Sequence, residues 1–229
     1  MSLQRRKNIY GLNALSAWIG FGLSLIIEIF YLVPPSTTAS PSMYGHHAEG
    51  LAGALPRVFD LLSYFTIWSQ IVVGVVMTLL FLNPDRDGRL LRIFRVDSVL
   101  MITVTGIVYN IMIGPKFPPQ GLNVYSSFFE HTLTPLITVL VFLFVGPRAW
   151  FSKETVLKGL ALPIAYIFYS LIRGAIQHQY PYDFIDVVSY GYVSVIITVL
   201  AILTASIIML LLFWLIDSRL SRQLQGERV

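Results

Sequence analysis

The chain has 229 residues, of which 55% are hydrophobic and 12% charged, with a net charge of +4 and no cysteine. Soluble domains carry about one quarter charged residues, so this composition predicts an integral membrane protein. The lack of cysteine excludes disulfides, thiolate metal sites and a cysteine nucleophile. The basic residues form short clusters beside apolar runs, which is typical of topology signals and not of a nucleic-acid-binding surface.

Six apolar runs follow one another along the chain, each close to the roughly 20 residues that cross a bilayer. Polar segments or segments containing Pro or Gly separate them. The runs lie at 10–33, 57–82, 95–114, 126–145, 156–177 and 188–216. We therefore predict an all-α, polytopic membrane protein with six transmembrane helices, which forms a single domain over residues 1–229.

The distribution of Lys and Arg predicts the orientation of these spans. Of the 16 Lys and Arg residues, Arg57 and Lys116 lie on one side, and Arg173 lies inside the fifth span. The other side holds Arg5, Arg6, Lys7, Arg86, Arg89, Arg92, Arg95, Arg148, Lys153, Lys158, Arg219, Arg222 and Arg228. Cytoplasmic loops carry the excess of positive charge, so both termini are expected in the cytoplasm.

Four of the predicted spans carry a polar face, because a step of about 100° per residue brings their polar side chains together. Such faces are costly in lipid and should contact other helices or a cavity. The second span contributes Asp60, Ser63, Thr66, Ser69 and Gln70, the third Thr103 and Asn110, the fourth Ser127, Glu130, His131, Thr134 and Thr138, and the fifth Tyr166, Tyr169, Ser170, Arg173 and Gln177.

The depth of these polar groups predicts one pocket in the outer half of the membrane. Thr66 follows Arg57 by nine residues, about 13 Å into the layer at 1.5 Å per residue. His131, Asn110 and Arg173 fall near the outer ends of their spans. The inner half is expected to be apolar and dry. Glu130 and Arg173 are candidates for an ion pair that fixes helix packing.

Three short stretches carry a resemblance to a known family. They are "YFTIWSQIVVG" from Tyr64, "EHTLTPLITVL" from Glu130 and "QYPYDFID" from Gln179. Together they resemble the androgen-induced and androgen-dependent membrane proteins, six-span threonine hydrolases of fatty acid esters of hydroxy fatty acids. The compact loops resemble a prokaryotic relative, which implies a multi-pass protein of the plasma membrane.

The resemblance implies that Thr66 is the nucleophile and that His131 is the base, as triad logic also requires for an activated hydroxyl. The candidates for oxyanion donors or substrate contacts are Asn110, Arg173, Ser69 and Gln70. Glu130, Asp183 and Asp186 are all candidates for the carboxylate that would orient His131. A membrane lipid or another fatty acyl ester is the expected substrate, with the bilayer as the surrounding partner.

Two other classes of protein fit the polar pocket. A small-molecule or proton-coupled transporter needs buried Glu, His and Arg, but it should carry polar residues through both halves of the membrane. A non-catalytic lipid-binding protein would leave the Thr66 hydroxyl without a role. His46, His47 and Glu49 lack the spacing of a helical zinc site and are expected to form a solvated loop. No metal or other cofactor is predicted.

Overall fold

The computed structural model describes residues 1–34 and 40–226 and forms a helical bundle. Its helices are α1 (Leu3–Phe30), α2 (Ala54–Leu61), α3 (Phe65–Leu82), α4 (Arg89–Ile113), α5 (Asn123–Phe144), α6 (Lys153–Lys158), α7 (Ala161–Gln177) and α8 (Val187–Gly226). Within the described residues, β pairing is limited to one isolated bridge between Met43 and Tyr180. Residues 35–39 of the first loop and Arg228 of the charge count lie outside the described residues.

Six of these helices or helix pairs are long and apolar enough to cross a membrane: α1, α3, α4, α5, α6 with α7, and α8. The prediction of an all-α protein with six membrane spans is confirmed. Successive spans run in opposite directions. We call the end that carries residues 31–34, 40–53, 114–122 and 178–186 the upper end, and the end that carries residues 1–2, 83–88 and 145–152 the lower end.

The second predicted span is two helices and not one. α2 ends at Leu61, and the backbone of Tyr64 is extended before α3 begins at Phe65. The break changes the direction of the chain, so Asp60 does not share a helical face with Thr66. It also places Thr66 in the first turn of a new helix, where backbone N–H groups lack partners inside the helix.

Close packing around α1 and α5 holds the upper half of the bundle together. A Cβ on Gly20 would lie 3.1 Å from the side chain of Glu130, so α1 approaches α5 more closely than a larger residue allows. A Cβ on Gly106 would lie 3.0 Å from Pro135, which brings α4 equally close to α5. Small residues at helix contacts are the usual means of tight packing in membranes.

The expectation that the lower half is dry is wrong. Arg95 and Asp97 in α4 are each only 1% exposed, and Asn13 in α1 is fully buried. Thr138 donates to Asn13 Oδ1 at 3.0 Å and so joins α5 to α1. The helix begins at Arg89 and not at Arg95, so Arg95, which was counted as a topology signal, lies inside the bundle.

Candidate active site

Thr66 and His131 meet where α3 and α5 face each other at the upper end. The distance from Thr66 Oγ1 to His131 Nε2 is 3.3 Å. A nucleophile and its base lie about 2.6–3.2 Å apart, and the distance is often longer in structures without substrate. Thr66 is 8% exposed and His131 is partly buried. The hydroxyl therefore has a proton acceptor beside it, in a place with little competing water.

The second ring nitrogen of His131 fixes which nitrogen can accept a proton. Nδ1 lies 3.2 Å from the carbonyl oxygen of Ser127 and 3.1 Å from its hydroxyl oxygen. A carbonyl only accepts, and the Ser127 hydroxyl donates to the Tyr109 hydroxyl at 2.8 Å, so Nδ1 carries the hydrogen. Nε2 then presents its lone pair to Thr66. The Tyr109 ring stacks on the imidazole with centroids 3.5 Å apart.

A π-helical turn from Phe129 to Leu133 presents His131. Pro135 has no N–H, so the carbonyl of His131 loses the partner that an α-helix would supply. Asn110 donates to that carbonyl at 3.0 Å, and Gln70 donates to the freed carbonyl of Glu130 at 3.0 Å. Each orphaned carbonyl would otherwise cost about 1–3 kcal/mol. Both amide side chains thus hold the turn that carries the imidazole.

Tyr182 contacts the other side of Thr66. The Thr66 N–H donates to the Tyr182 hydroxyl at 3.3 Å, and a tyrosine hydroxyl that accepts one bond can still donate its own hydrogen. The positive end of the α3 dipole lies at the same place and favours negative charge. Tyr182 was not among the predicted site residues. The "QYPYDFID" stretch contains it, and the resemblance of that stretch could have indicated Tyr182 as a site residue.

A chamber of about 780 Å³ opens beside Thr66 and His131 at the upper end. This volume lies within the roughly 300–1,000 Å³ of small-molecule sites. Its walls combine apolar side chains such as Leu61, Ile67 and Phe117 with the polar Ser24 and Lys116. The chamber therefore admits a ligand that has both apolar and polar parts.

The four predicted oxyanion donors do not converge on Thr66 with free hydrogens. Asn110 uses its amide hydrogens on the carbonyls of Gly106 and His131, and Gln70 donates to the backbone of α5. The Ser69 hydroxyl bonds Phe65 and Thr105 of the helix interior. Arg173 does not line the chamber and pairs with Asp60 at 2.6 Å. The Tyr182 hydroxyl, which accepts from the Thr66 N–H at 3.3 Å, is a further candidate donor.

The three carboxylates considered for orienting His131 have other partners. Glu130 is buried and accepts from the Ser24 hydroxyl at 2.7 Å, so it does not pair with Arg173. Asp183 lies in the chamber wall and pairs with Lys116 at 2.8 Å. Asp186 accepts the N–H groups of Val188 and Ser189 at the start of α8. The groups that contact His131 Nδ1 are the carbonyl and the hydroxyl of Ser127.

A polar cluster beside the chamber ties the first loop to α2 and α7. Asp60 accepts from Arg173 and lies 2.6 Å from His47 Nε2. His47 is thus partly buried, whereas His46 and Glu49 of the same loop are exposed, as expected. Arg173 also lies over the Tyr44 ring, 4.4 Å from its centroid. Burial raises the pKa of Tyr44 to about 12, so its hydroxyl stays neutral at physiological pH. These contacts hold the loop beside the site.

Arg57 binds the rest of the same loop to the end of α1. It is 4% exposed and donates to the carbonyls of Glu28 at 2.8 Å, Gly50 at 2.6 Å and Ala48. We expect Arg57→Met to destabilise the protein by about 3 kcal/mol, since hydrogen bonds to a charged group are lost and buried carbonyls are orphaned. Thermal unfolding in detergent measures this loss.

The matched control for Arg57 is Arg89→Met, which removes an exposed ion pair with Glu154. Exposed pairs contribute little, so its melting temperature should equal that of the wild type. Equal melting temperatures for all three proteins would show that Arg57 does not hold the loop.

Among residues 1–34 and 40–226, no three His, Cys, Asp or Glu side chains lie close enough together to hold a metal ion. The chain matches no protein-family model, no curated protein and no solved structure.

Proposed function

We propose that this protein is an intramembrane lipid-ester hydrolase in which Thr66 is the nucleophile and His131 is the general base. The observation that carries the proposal is the contact of Thr66 Oγ1 with His131 Nε2 at 3.3 Å, combined with the Nδ1 hydrogen bond to the Ser127 carbonyl at 3.2 Å. A neutral imidazole with its lone pair on a hydroxyl is the arrangement that activates a weak oxygen nucleophile.

The reaction proceeds in two halves. Thr66 Oγ1 bonds to the ester carbonyl carbon as its proton passes to His131 Nε2. The bond from that carbon to the alcohol oxygen then breaks, and the alcohol takes the proton from Nε2. A water molecule, activated by the same nitrogen, releases the acyl group as a carboxylic acid and restores Thr66. The Tyr182 hydroxyl and the positive end of α3 stabilise the oxyanion in both halves.

Two features support a lipid ester as the substrate. Thr66 lies on a membrane-spanning helix, and the chamber beside it has both apolar and polar walls. The three stretches described above resemble hydrolases of fatty acid esters of hydroxy fatty acids. We propose that class of ester as the first substrate to assay and the plasma membrane of a prokaryotic-type cell as the location.

Purified protein in nanodiscs, incubated with a fatty acid ester of a hydroxy fatty acid, tests the proposal. The expected result is release of both the fatty acid and the hydroxy fatty acid, detected by mass spectrometry. Folded protein that cleaves neither this ester nor a range of simpler fatty acyl esters would overturn the assignment.

Replacing Ser127 with alanine should lower kcat/KM about fivefold, the effect of one neutral hydrogen bond of about 1 kcal/mol. The loss is small because the Ser127 carbonyl still accepts the Nδ1 hydrogen at 3.2 Å. Ester hydrolysis under single-turnover conditions measures it. Thr103→Val is the control, since the Thr103 hydroxyl bonds its own helix and Thr103 does not line the chamber, so its loss should leave the rate unchanged. Equal rates for both variants would contradict the role of Ser127.

A proton-coupled transporter is the second candidate, and the buried charges of the lower half favour it. Arg95 and Asp97 lie inside α4, and ionisable groups at such depths often mark ion pathways. Proteoliposomes that carry a pH gradient distinguish the two functions. Dissipation of the gradient by the wild type, together with no ester cleavage, would favour transport.

A further inference from the structure

A second cavity lies below Thr66, between α3, α4, α7 and α8, and we call it the slot. It has a volume of about 80 Å³ and a largely apolar wall. It runs from Thr66 and Tyr182 at the upper end toward Leu100, Pro163 and Ser206. The eight residues from Val108 to Leu100 span about 12 Å along α4 at 1.5 Å per residue. The slot is therefore narrow, lined mainly by apolar side chains and directed toward the middle of the bilayer.

Thr66 lies in the wall that the slot shares with the chamber. Four residues line both cavities: Thr66, Tyr109, Ile113 and Tyr182. His131 lines the chamber but not the slot. A carbonyl carbon attacked by Thr66 therefore lies at the junction, with space for one half of an ester on each side.

The two cavities differ in what they can hold. No charged side chain lines the slot, whereas Glu28, Lys116 and Asp183 line the chamber. Two of the hydroxyls in the slot wall are already bonded within the bundle, Ser206 to the Ile202 carbonyl and Thr105 to Ser69. The Ser170 hydroxyl in the same wall has no hydrogen-bond partner among the described residues. An alkyl chain gains from apolar burial against the rest of the wall.

The chemistry decides which half of the ester enters the slot. The leaving alcohol must receive its proton from His131 Nε2, so the alcohol has to lie on the side of Thr66 where His131 is. That side is the chamber, which is also the side from which water reaches the acyl group. The acyl chain must then lie on the opposite side of Thr66.

We propose that the slot binds the acyl chain of the substrate and that the chamber binds the alcohol half, an inference that rests on the proposed hydrolase activity. The slot then selects esters by acyl length, while the wide chamber accepts bulky or charged alcohols.

The test uses p-nitrophenyl butyrate, octanoate, dodecanoate and palmitate with the protein in nanodiscs. Ser206→Leu fills the far end of the slot and removes only a bond within its own helix. Its kcat/KM for dodecanoate should fall about tenfold, the effect of withdrawing about two methylenes from burial, while its rate on butyrate stays at the wild-type value.

Thr204→Leu is the matched control, because this hydroxyl also bonds its own helix but Thr204 is exposed on the outside of α8. It should keep the wild-type dependence on acyl length. A wild-type dependence in Ser206→Leu, with activity on every ester, would overturn the slot assignment and leave the hydrolase intact. A wild type that cleaves none of the four esters would overturn the hydrolase and the slot assignment with it.

A photoreactive fatty acid gives a second readout that needs no variant to fold. Dodecanoate with a diazirine at its methyl end should label wild-type peptides from 163–171 or 199–206, which form the deep wall of the slot. Labels confined to the chamber wall at 116–127 would contradict the proposal.

Discussion

Replacing Thr66 with valine should reduce the rate of ester hydrolysis by at least about 10³-fold, as loss of the nucleophile does in hydrolases that form an acyl-enzyme. Valine keeps the branched shape of threonine and removes only the hydroxyl that lies 3.3 Å from His131. The fold should therefore survive. Hydrolysis of the preferred ester by protein with an unchanged melting temperature is the measurement.

Two companion variants make the Thr66 result specific. Thr66→Ser keeps a hydroxyl in reach of His131, so it should retain activity within about tenfold of the wild type. Thr78→Val removes the other threonine of α3, whose hydroxyl bonds the Gly74 carbonyl, and should not affect hydrolysis. Full activity in Thr66→Val would exclude Thr66 as the nucleophile.

Replacing His131 with alanine should have the second-largest effect, a loss of about 10³-fold or more, because Thr66 then has no base and the leaving alcohol has no acid. The substitution also leaves a space beside Tyr109, whose ring stacks on the imidazole. The chamber opens at this position, so added imidazole should enter it and restore part of the rate.

Imidazole rescue separates a catalytic His131 from a structural one. A variant that has merely lost packing would not regain activity with imidazole, and a residue without a role would not lose activity at all. His178→Ala, at an exposed position after α7, is the control and should behave as the wild type with and without imidazole.

Hydropathy and helical periodicity were sufficient to predict the six spans and the common depth of Thr66 and His131. The number of spans follows from the length of each apolar run, and depth follows from the rise per residue. What periodicity missed is the break between α2 and α3 at Leu62–Tyr64, because every residue there is compatible with a helix. The break depends on tertiary contacts, such as the bond from Tyr166 to the Ser63 carbonyl.

Asn110 and Gln70 bond backbone carbonyls of α5, and the sequence partly contains the reason. Pro135 frees the His131 carbonyl, so a donor on a neighbouring helix was to be expected. Which helix supplies it depends on the close approach that Gly106 permits. The partner that a buried polar side chain bonds, such as Asp60 for Arg173, depends on which side chains lie next to each other in the fold. Sequence periodicity does not contain that information.

The charged residues of the lower half show the limit of counting Lys and Arg as topology signals. Arg95 follows the start of α4 by six residues, far enough inside the bundle to be buried. A basic residue near the edge of an apolar run can lie in solvent beside the span or be buried inside the bundle, and the sequence pattern is the same in both cases. The residue at which the helix begins decides between them.

The most direct test is to capture the acyl group on the enzyme. Wild-type protein mixed with a fluorophosphonate, or quenched during turnover of a p-nitrophenyl ester, should carry the phosphonyl or acyl mass on the peptide that contains Thr66, and Thr66→Val should carry none. An adduct on another residue, or an undiminished adduct in Thr66→Val, would contradict a threonine nucleophile paired with His131.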